Sequence, residues 1–258
     1  MSETWLLIVA AGRGKRLGRD RPKAFVDLAG RPLAAYSVEA GGAAAAVDAI
    51  VAVGDVSRFE LLLTALSPRA RAKWRGVVPG GGERRDSVRS GCAEIERQTG
   101  GDPIVLVHDA ARPFATPALL DAVAHAAASG PALAATPVAD TVKRCRGEIV
   151  QGTLDRENLS LAQTPQGARL SALLRADAQA PPGPATDEAS LFEAAGESVA
   201  IVPAPSTNFK VTTPDDLRLA EAWVRAGGAL WVPALAAGGQ KPRSPRHPVA
   251  KPGTRTSV

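Results

Sequence analysis

Short apolar runs rich in Val, Ile, Leu and Ala recur at 5–9, 49–53, 75–78, 104–107, 132–136 and 199–202. Few polar residues interrupt them, which is the pattern of strands buried on both faces. Between most of these runs lie stretches with apolar residues at helical spacing, at 32–40, 57–66, 87–98, 116–128, 170–178 and 187–195, with 214–224 the last. Strands alternating with helices predict βαβ units and an α/β fold with a doubly wound, mainly parallel sheet. Thr116-Pro117 and Thr213-Pro214 each offer an N-cap hydroxyl followed by a proline whose missing N–H costs nothing at the first helical position.

One region breaks the rhythm. The pieces 141–146, 148–153 and 158–162 alternate polar and apolar residues around Gly147 and Gly152, with no helix between them. They predict a hairpin or β-arm over about 139–163 that leaves the main sheet. From 227 onward Gly, Pro and basic residues dominate, a composition that cannot build a core, and 238–258 is expected to be disordered. There is no internal repeat. The chain therefore divides into one domain over 1–226, carrying the arm, and a tail over 227–258.

Composition narrows the class. A chain of 258 residues can bury a proper core, and an aromatic content of 4% suits helices packed on an aliphatic sheet. No apolar run approaches the ~20 residues that cross a bilayer. The start, Met-Ser-Glu followed at once by a strand-like run, lacks a basic n-region and a cleavage site. The expectation is a soluble, cytoplasmic protein with no membrane partner. Cys92 and Cys145 lack the spacing of a disulfide or zinc framework and are expected to be reduced and mostly buried. Lys241, Arg243, Arg246, Lys251 and Arg255 lie in the tail without a single acid, and they account for the whole formal net charge of +5. The high isoelectric point thus describes a tail, and no nucleic-acid partner is expected of the body.

Within the body the densest basic patch is the loop after the first strand, in "LLIVAAGRGKRLGRDRPKAF". Arg13, Lys15, Arg16, Arg19, Arg21 and Lys23 there face one acid, Asp20. Leu17 stands where a dinucleotide fingerprint needs its third glycine, and no Gly-Lys-Ser/Thr completes a Walker A loop. The loop still suits phosphate. Gly12 and Gly14 free backbone N–H groups to point inward, Arg16 offers a planar fork, and Lys23, held by Pro22, offers a point charge. "VPGGGERRDSV" follows another strand with three glycines, among them Gly81 and Gly82, and places Ser87 near a helix N-terminus, features that suit base and ribose recognition. "VLVHDAARPF" sets Asp109 just past a buried strand, where a lone carboxylate can hold a Mg²⁺ that bridges phosphates, with Arg112 near the same edge. His108 beside it is expected to be structural. "TNFKVTTPDDL" adds Lys210, expected on a strand before the last helix.

Taken in order, "AAGRGKRL…RPKAF", "GGGERRDSV", "VHDAARPF", "DTVKR", "LDRENL", "AQTPQ", "TDEASL" and "NFKVTTPDDL" resemble the motifs of the 2-C-methyl-D-erythritol 4-phosphate cytidylyltransferases, over roughly 5–225. The resemblance implies a Rossmann-like nucleotidyltransferase fold and transfer of a cytidylyl group from CTP to methylerythritol phosphate, with release of pyrophosphate and Mg²⁺ as cofactor. It implies Arg16 and Lys23 as the catalytic cations. Ala10, Ala11, Gly12 and Gly14 would cradle the triphosphate, Gly81, Gly82 and Ser87 would meet cytosine and ribose, and Asp109 would hold the metal. Ala110, Arg112, Thr141, Arg156, Thr186 and Lys210 would surround the acceptor. A homodimer is implied in which each arm reaches into the partner's site. Thr207 stands where the family often carries an acid, which removes the ground for expecting a second metal contact there.

Three other readings remain open on the residues alone: a sister cytidylyltransferase acting on a polyol phosphate such as ribitol 5-phosphate, a non-catalytic nucleotide-binding module, and a nucleic-acid binder acting through the tail. Arg16, Lys23 and Asp109 together argue against the module, since binding alone needs no charge-stabilising set.

Overall fold

The computed structural model describes residues 2–12, 22–229 and 232. The segment 238–258, expected to be disordered, lies outside the described residues, as do Gly14, Arg16 and the other basic residues of the opening loop before Lys23.

Strands β1 (Thr4–Val9), β4 (Ala49–Val53), β5 (Trp74–Val78), β6 (Ile104–Asp109), β7 (Ala132–Pro137), β10 (Ser160–Arg169) and β11 (Ala200–Pro203) form one sheet in the order β11-β7-β10-β6-β1-β4-β5. Six of them run parallel, and β10 is antiparallel to both its neighbours. Two small hairpins stand apart, β2 (Asp27–Leu28) with β3 (Arg31–Pro32), and β8 (Lys143–Arg146) with β9 (Ile149–Thr153).

Both faces of the sheet are covered, and the side chains obey the two-residue period of a strand. Leu6, Ile8, Ile50, Ala52, Ile104 and Leu106 face one core with α1 (Leu33–Ala43), α2 (Val56–Leu63), α3 (Pro68–Lys73) and α5 (Pro117–Ala127). Trp5, Leu7, Val51, Val53, Val105 and Val107 face the other, with α4 (Arg84–Gln98), α6 (Leu170–Gln179) and α7 (Ala189–Ala194). This two-sided burial is why the central strands read as unbroken apolar runs. Helix α8 (Pro214–Arg225) closes the molecule through Leu217 and Ala220, which pack with Tyr36, Phe114 and Val211. Thr116 and Thr213 cap α5 and α8 as their sequences predict, each accepting a hydrogen bond from the third residue on.

Four expectations need correction. The piece 158–162 is not part of the arm: it leads into β10, a central strand of ten residues. Its sequence, with two Gln, a Pro and a Gly, hides this because β10 is buried through polar bonds. Asn208 Nδ2 donates to Gln163 Oε1 and to the Thr164 carbonyl, and Gln166 bonds to Asp187 and Ala189. Lys210 lies in an extended loop before α8, not on a strand. Cys145 is exposed on β8, whereas Cys92 is buried as expected. Finally, α4 begins at Arg84, three residues before the expected start, with Glu83 and Asp86 forming a capping box.

Candidate active site

A cleft of about 440 Å³ opens at the carboxyl edge of the parallel strands, where α/β sheets take their ligands. Four chain segments build it. After β1, the Ala10 N–H donates to the Val53 carbonyl, which carries Ala10, Ala11 and Gly12 over the sheet edge. Lys23 enters from the next turn, its own N–H bonded to the Gly12 carbonyl at 3.3 Å. After β5 come Gly81, Gly82 and the first turn of α4, with Arg84 and Ser87. At the end of β6 lie Asp109 and Ala110, and Lys210 and Thr212 close the far side.

The glycines are there for closeness. A Cβ on Gly80 would sit 2.2 Å from that of Ala11, so the loop after β5 can approach the loop after β1 only as glycine, and a Cβ on Gly81 would sit 2.3 Å from the Asp86 Cβ in the first turn of α4. The Ser87 hydroxyl accepts from the Gly81 N–H and donates to the Glu83 carbonyl, which pins the glycine loop to α4.

Charge is concentrated at the base of the cleft. Asp109, the last residue of β6, receives Arg84 Nε at 3.2 Å on one oxygen and Lys210 Nζ at 2.6 Å on the other. Burial by itself would raise the Asp109 pKa, but these two cations outweigh it and hold the carboxyl well below the usual range. The fork of Arg84 meets both oxygens of Glu188, at 2.6 and 2.9 Å. Burial pushes the Glu188 carboxyl up, and the bidentate guanidinium of Arg84 pulls against that shift.

His108 is fully enclosed next door. Its Nδ1 accepts from the Thr164 hydroxyl at 3.1 Å, and its Nε2 donates to the Arg112 carbonyl at 3.2 Å. The same Thr164 oxygen accepts the Asp109 N–H. Burial lowers the imidazole pKa to about 4, so at neutral pH the ring is an uncharged brace that fixes the backbone at Asp109.

The structure thus brings Ala10, Ala11, Gly12, Lys23, Gly81, Gly82, Ser87, Asp109, Ala110 and Lys210 to one cleft. Gly14 and Arg16 lie outside the described residues. Arg112, Thr141, Arg156 and Thr186 do not line the cleft. Arg112 donates to the Asn208 and Ala162 carbonyls, and Thr186 donates to Asp187. Thr141 and Arg156 flank the β8–β9 hairpin and are exposed. Sequence reasoning missed Arg84 and Glu188. Arg84 could have been found by capping α4 with Glu83, directly after the glycine loop, since a basic residue at a helix start is otherwise unfavourable. Glu188 lies in the motif "TDEASL", but its pairing spans 104 residues and leaves no local signal.

The family model for IspD, 2-C-methyl-D-erythritol 4-phosphate cytidylyltransferase, matches residues 4–226. A relative of that description from Pelotomaculum thermopropionicum is 41% identical over 233 residues, which cover 88% of this chain and 96% of the relative. A bifunctional IspD/IspF enzyme from Anaeromyxobacter dehalogenans is 45% identical, and the match covers 88% of this chain and 58% of that enzyme. Among solved structures, the 2-C-methyl-D-erythritol 4-phosphate cytidylyltransferase of Thermus thermophilus superposes with a TM-score of 0.69 at 34% identity, over 86% of this chain and 99% of that one. The matched span contains every segment that builds the cleft, and the chain belongs to the 2-C-methyl-D-erythritol 4-phosphate cytidylyltransferase family.

Proposed function

We propose that this chain transfers the cytidylyl group of CTP to 2-C-methyl-D-erythritol 4-phosphate, giving 4-diphosphocytidyl-2-C-methyl-D-erythritol and pyrophosphate in isoprenoid precursor synthesis, as a cytoplasmic homodimer. The observation that carries the reading is the cleft that joins a glycine-lined floor to Lys23, Asp109 and Lys210. Attack of the acceptor phosphate on the α-phosphorus of CTP needs neither a covalent enzyme intermediate nor a strong base. Positioning and stabilisation of developing charge supply the catalysis. Gly81 and Gly82, which line the cleft, receive the base and ribose, and the amides of 10–12 receive phosphate oxygens. Lys23, and by family resemblance Arg16, stabilise charge on the α-phosphate and the leaving group. Lys210 serves the acceptor phosphate from the opposite wall, together with Arg112, Thr186 and, from the partner's arm, Thr141 and Arg156.

The donor set fits Mg²⁺. Among the described residues no group of three or more His, Cys, Asp or Glu could hold a metal unaided. One buried carboxylate in an anion-binding cleft is nevertheless what a Mg²⁺ carried largely by substrate phosphates requires. Asp109 would hold it, and the ion would supply neutralisation of triphosphate charge. The test is pyrophosphate release from CTP with methylerythritol phosphate, with ribitol 5-phosphate and with no acceptor. Release with the first alone supports the reading. Release with ribitol 5-phosphate points to the sister activity, and no release with any acceptor points to a binding module.

A further inference from the structure

Glu188 contributes nothing to the cleft wall, yet it is the partner of a residue that does. Its side chain is 6% exposed, at the start of α7, and both carboxylate oxygens are taken by the fork of Arg84. Arg84 directs its Nε to Asp109, whose other oxygen holds Lys210. With Glu188 ionised, as its bidentate pairing with Arg84 favours, these four groups carry two positive and two negative charges, and the cluster is balanced only in that state. Without that charge, Asp109 alone would face two cations.

We propose that Glu188 is a positioning residue that works through Arg84: it balances the charge around Asp109 and thereby favours a metal-bearing nucleotide over the bare triphosphate. This rests on the reading of the cleft as the site of CTP and Mg²⁺. The two ligands respond to the balance with opposite sign. A divalent cation is repelled by a net positive cleft base, and a metal-free triphosphate is attracted by it. One charge set behind Arg84, in the partly shielded interior of a protein, changes affinity in the cleft by about tenfold.

The experiment measures CTP binding by calorimetry, once with EDTA and once with Mg²⁺, for the wild type, Glu188→Gln and Glu188→Asp. In Glu188→Gln the metal-free affinity for CTP should rise about tenfold, and the gain in affinity on adding Mg²⁺ should shrink by a similar factor. Glu188→Asp keeps the charge and loses the bidentate fit. Both of its affinities should stay within about twofold of wild type while kcat falls, because Arg84 is no longer held from both sides. Loss of CTP affinity under both conditions in either variant marks a merely structural role and overturns the proposal. An unchanged metal-free affinity in Glu188→Gln does the same. Should Glu188→Gln fail to fold, Glu188→Asp decides: affinities near wild type support the proposal, and a tenfold change in the Mg²⁺ gain overturns it. Wild-type CTP binding and pyrophosphate release in the same samples test the underlying reading separately. Their absence removes that reading, whereas their presence leaves only the role of Glu188 at stake.

Discussion

Asp109 and His108 are neighbours in sequence, and their surroundings drive them to opposite chemistry. Asp109 is kept charged by Arg84 and Lys210, while His108 is kept neutral by burial between Thr164 and the Arg112 carbonyl. For His108 the folded pKa of about 4 lies below the ordinary 6.5. As pH falls, the unfolded chain therefore takes up this proton first. The stability His108 contributes is complete above about pH 6.5 and is lost between there and about 4, at up to about 1.4 kcal/mol per pH unit. His108→Gln should flatten the fall of melting temperature across that window, which thermal melts at a series of pH values will measure. Were the slope unchanged, the acid sensitivity would belong to other groups. Lys23 makes a different claim. On the proposed mechanism its charge matters most as negative charge builds in the transition state, so Lys23→Ala should lower kcat by about 10²–10³ with the melting temperature little changed. A near-normal kcat would remove Lys23 from the catalytic role.

At the scale of elements, local signals decided what the sequence revealed. The aliphatic runs of β1, β4 and β6 and the capped starts of α5 and α8 were legible because each is specified by its own residues. Helix α3 and strand β10 were not. The former has six residues and a single buried one, Ala70, and the latter is held by Gln163, Gln166 and Asn208, whose bonds run to residues far along the chain. The site divides the same way. Glycines and lysines on loops after strands could be read directly, whereas Arg84 and Glu188 become meaningful only once α4 and α7 are packed on the same face of the sheet. The β2–β3 hairpin was also missed, and it carries an unusual feature. Its turn places two consecutive residues at positive φ, Ala29 at 51° and Gly30 at 85°. Glycine takes this conformation freely, but for alanine the Cβ makes it unfavourable by about 1 kcal/mol. Asparagine tolerates it, and Asn-Gly is the favoured pair for such turns. Ala29 is exposed and the turn lies outside the cleft wall. Ala29→Asn should therefore stabilise the protein by roughly 0.5–1 kcal/mol without changing activity, as denaturant unfolding would show. A loss of stability would mean that the turn is not under this strain.

At the scale of the whole molecule the arm is the feature that one chain does not explain. Every residue of β8 and β9 is exposed, and Ile149 and Val150 show 68% and 56% of their surface. Leu161, at the root of the arm, shows 55%. A two-stranded hairpin with its apolar side chains in water is marginal at best and needs a surface to pack on. The proposed two-fold dimer would supply one, each arm lying over the other subunit, and it would also give Thr141 and Arg156 a use, since neither lines the cleft of its own chain. The proposal is tested with two inactive proteins, Lys23→Ala and Arg156→Ala, mixed under conditions that allow subunits to exchange. In a mixed dimer with exchanged arms, the site that lacks Lys23 receives the arm that lacks Arg156, and the other site receives neither defect. Random exchange makes about half of the dimers mixed, and each has one intact site of two, so activity should return to roughly a quarter of wild type. If mass spectrometry shows that exchange has occurred and activity stays absent, Arg156 serves its own subunit, and the arm packs on its partner for stability alone.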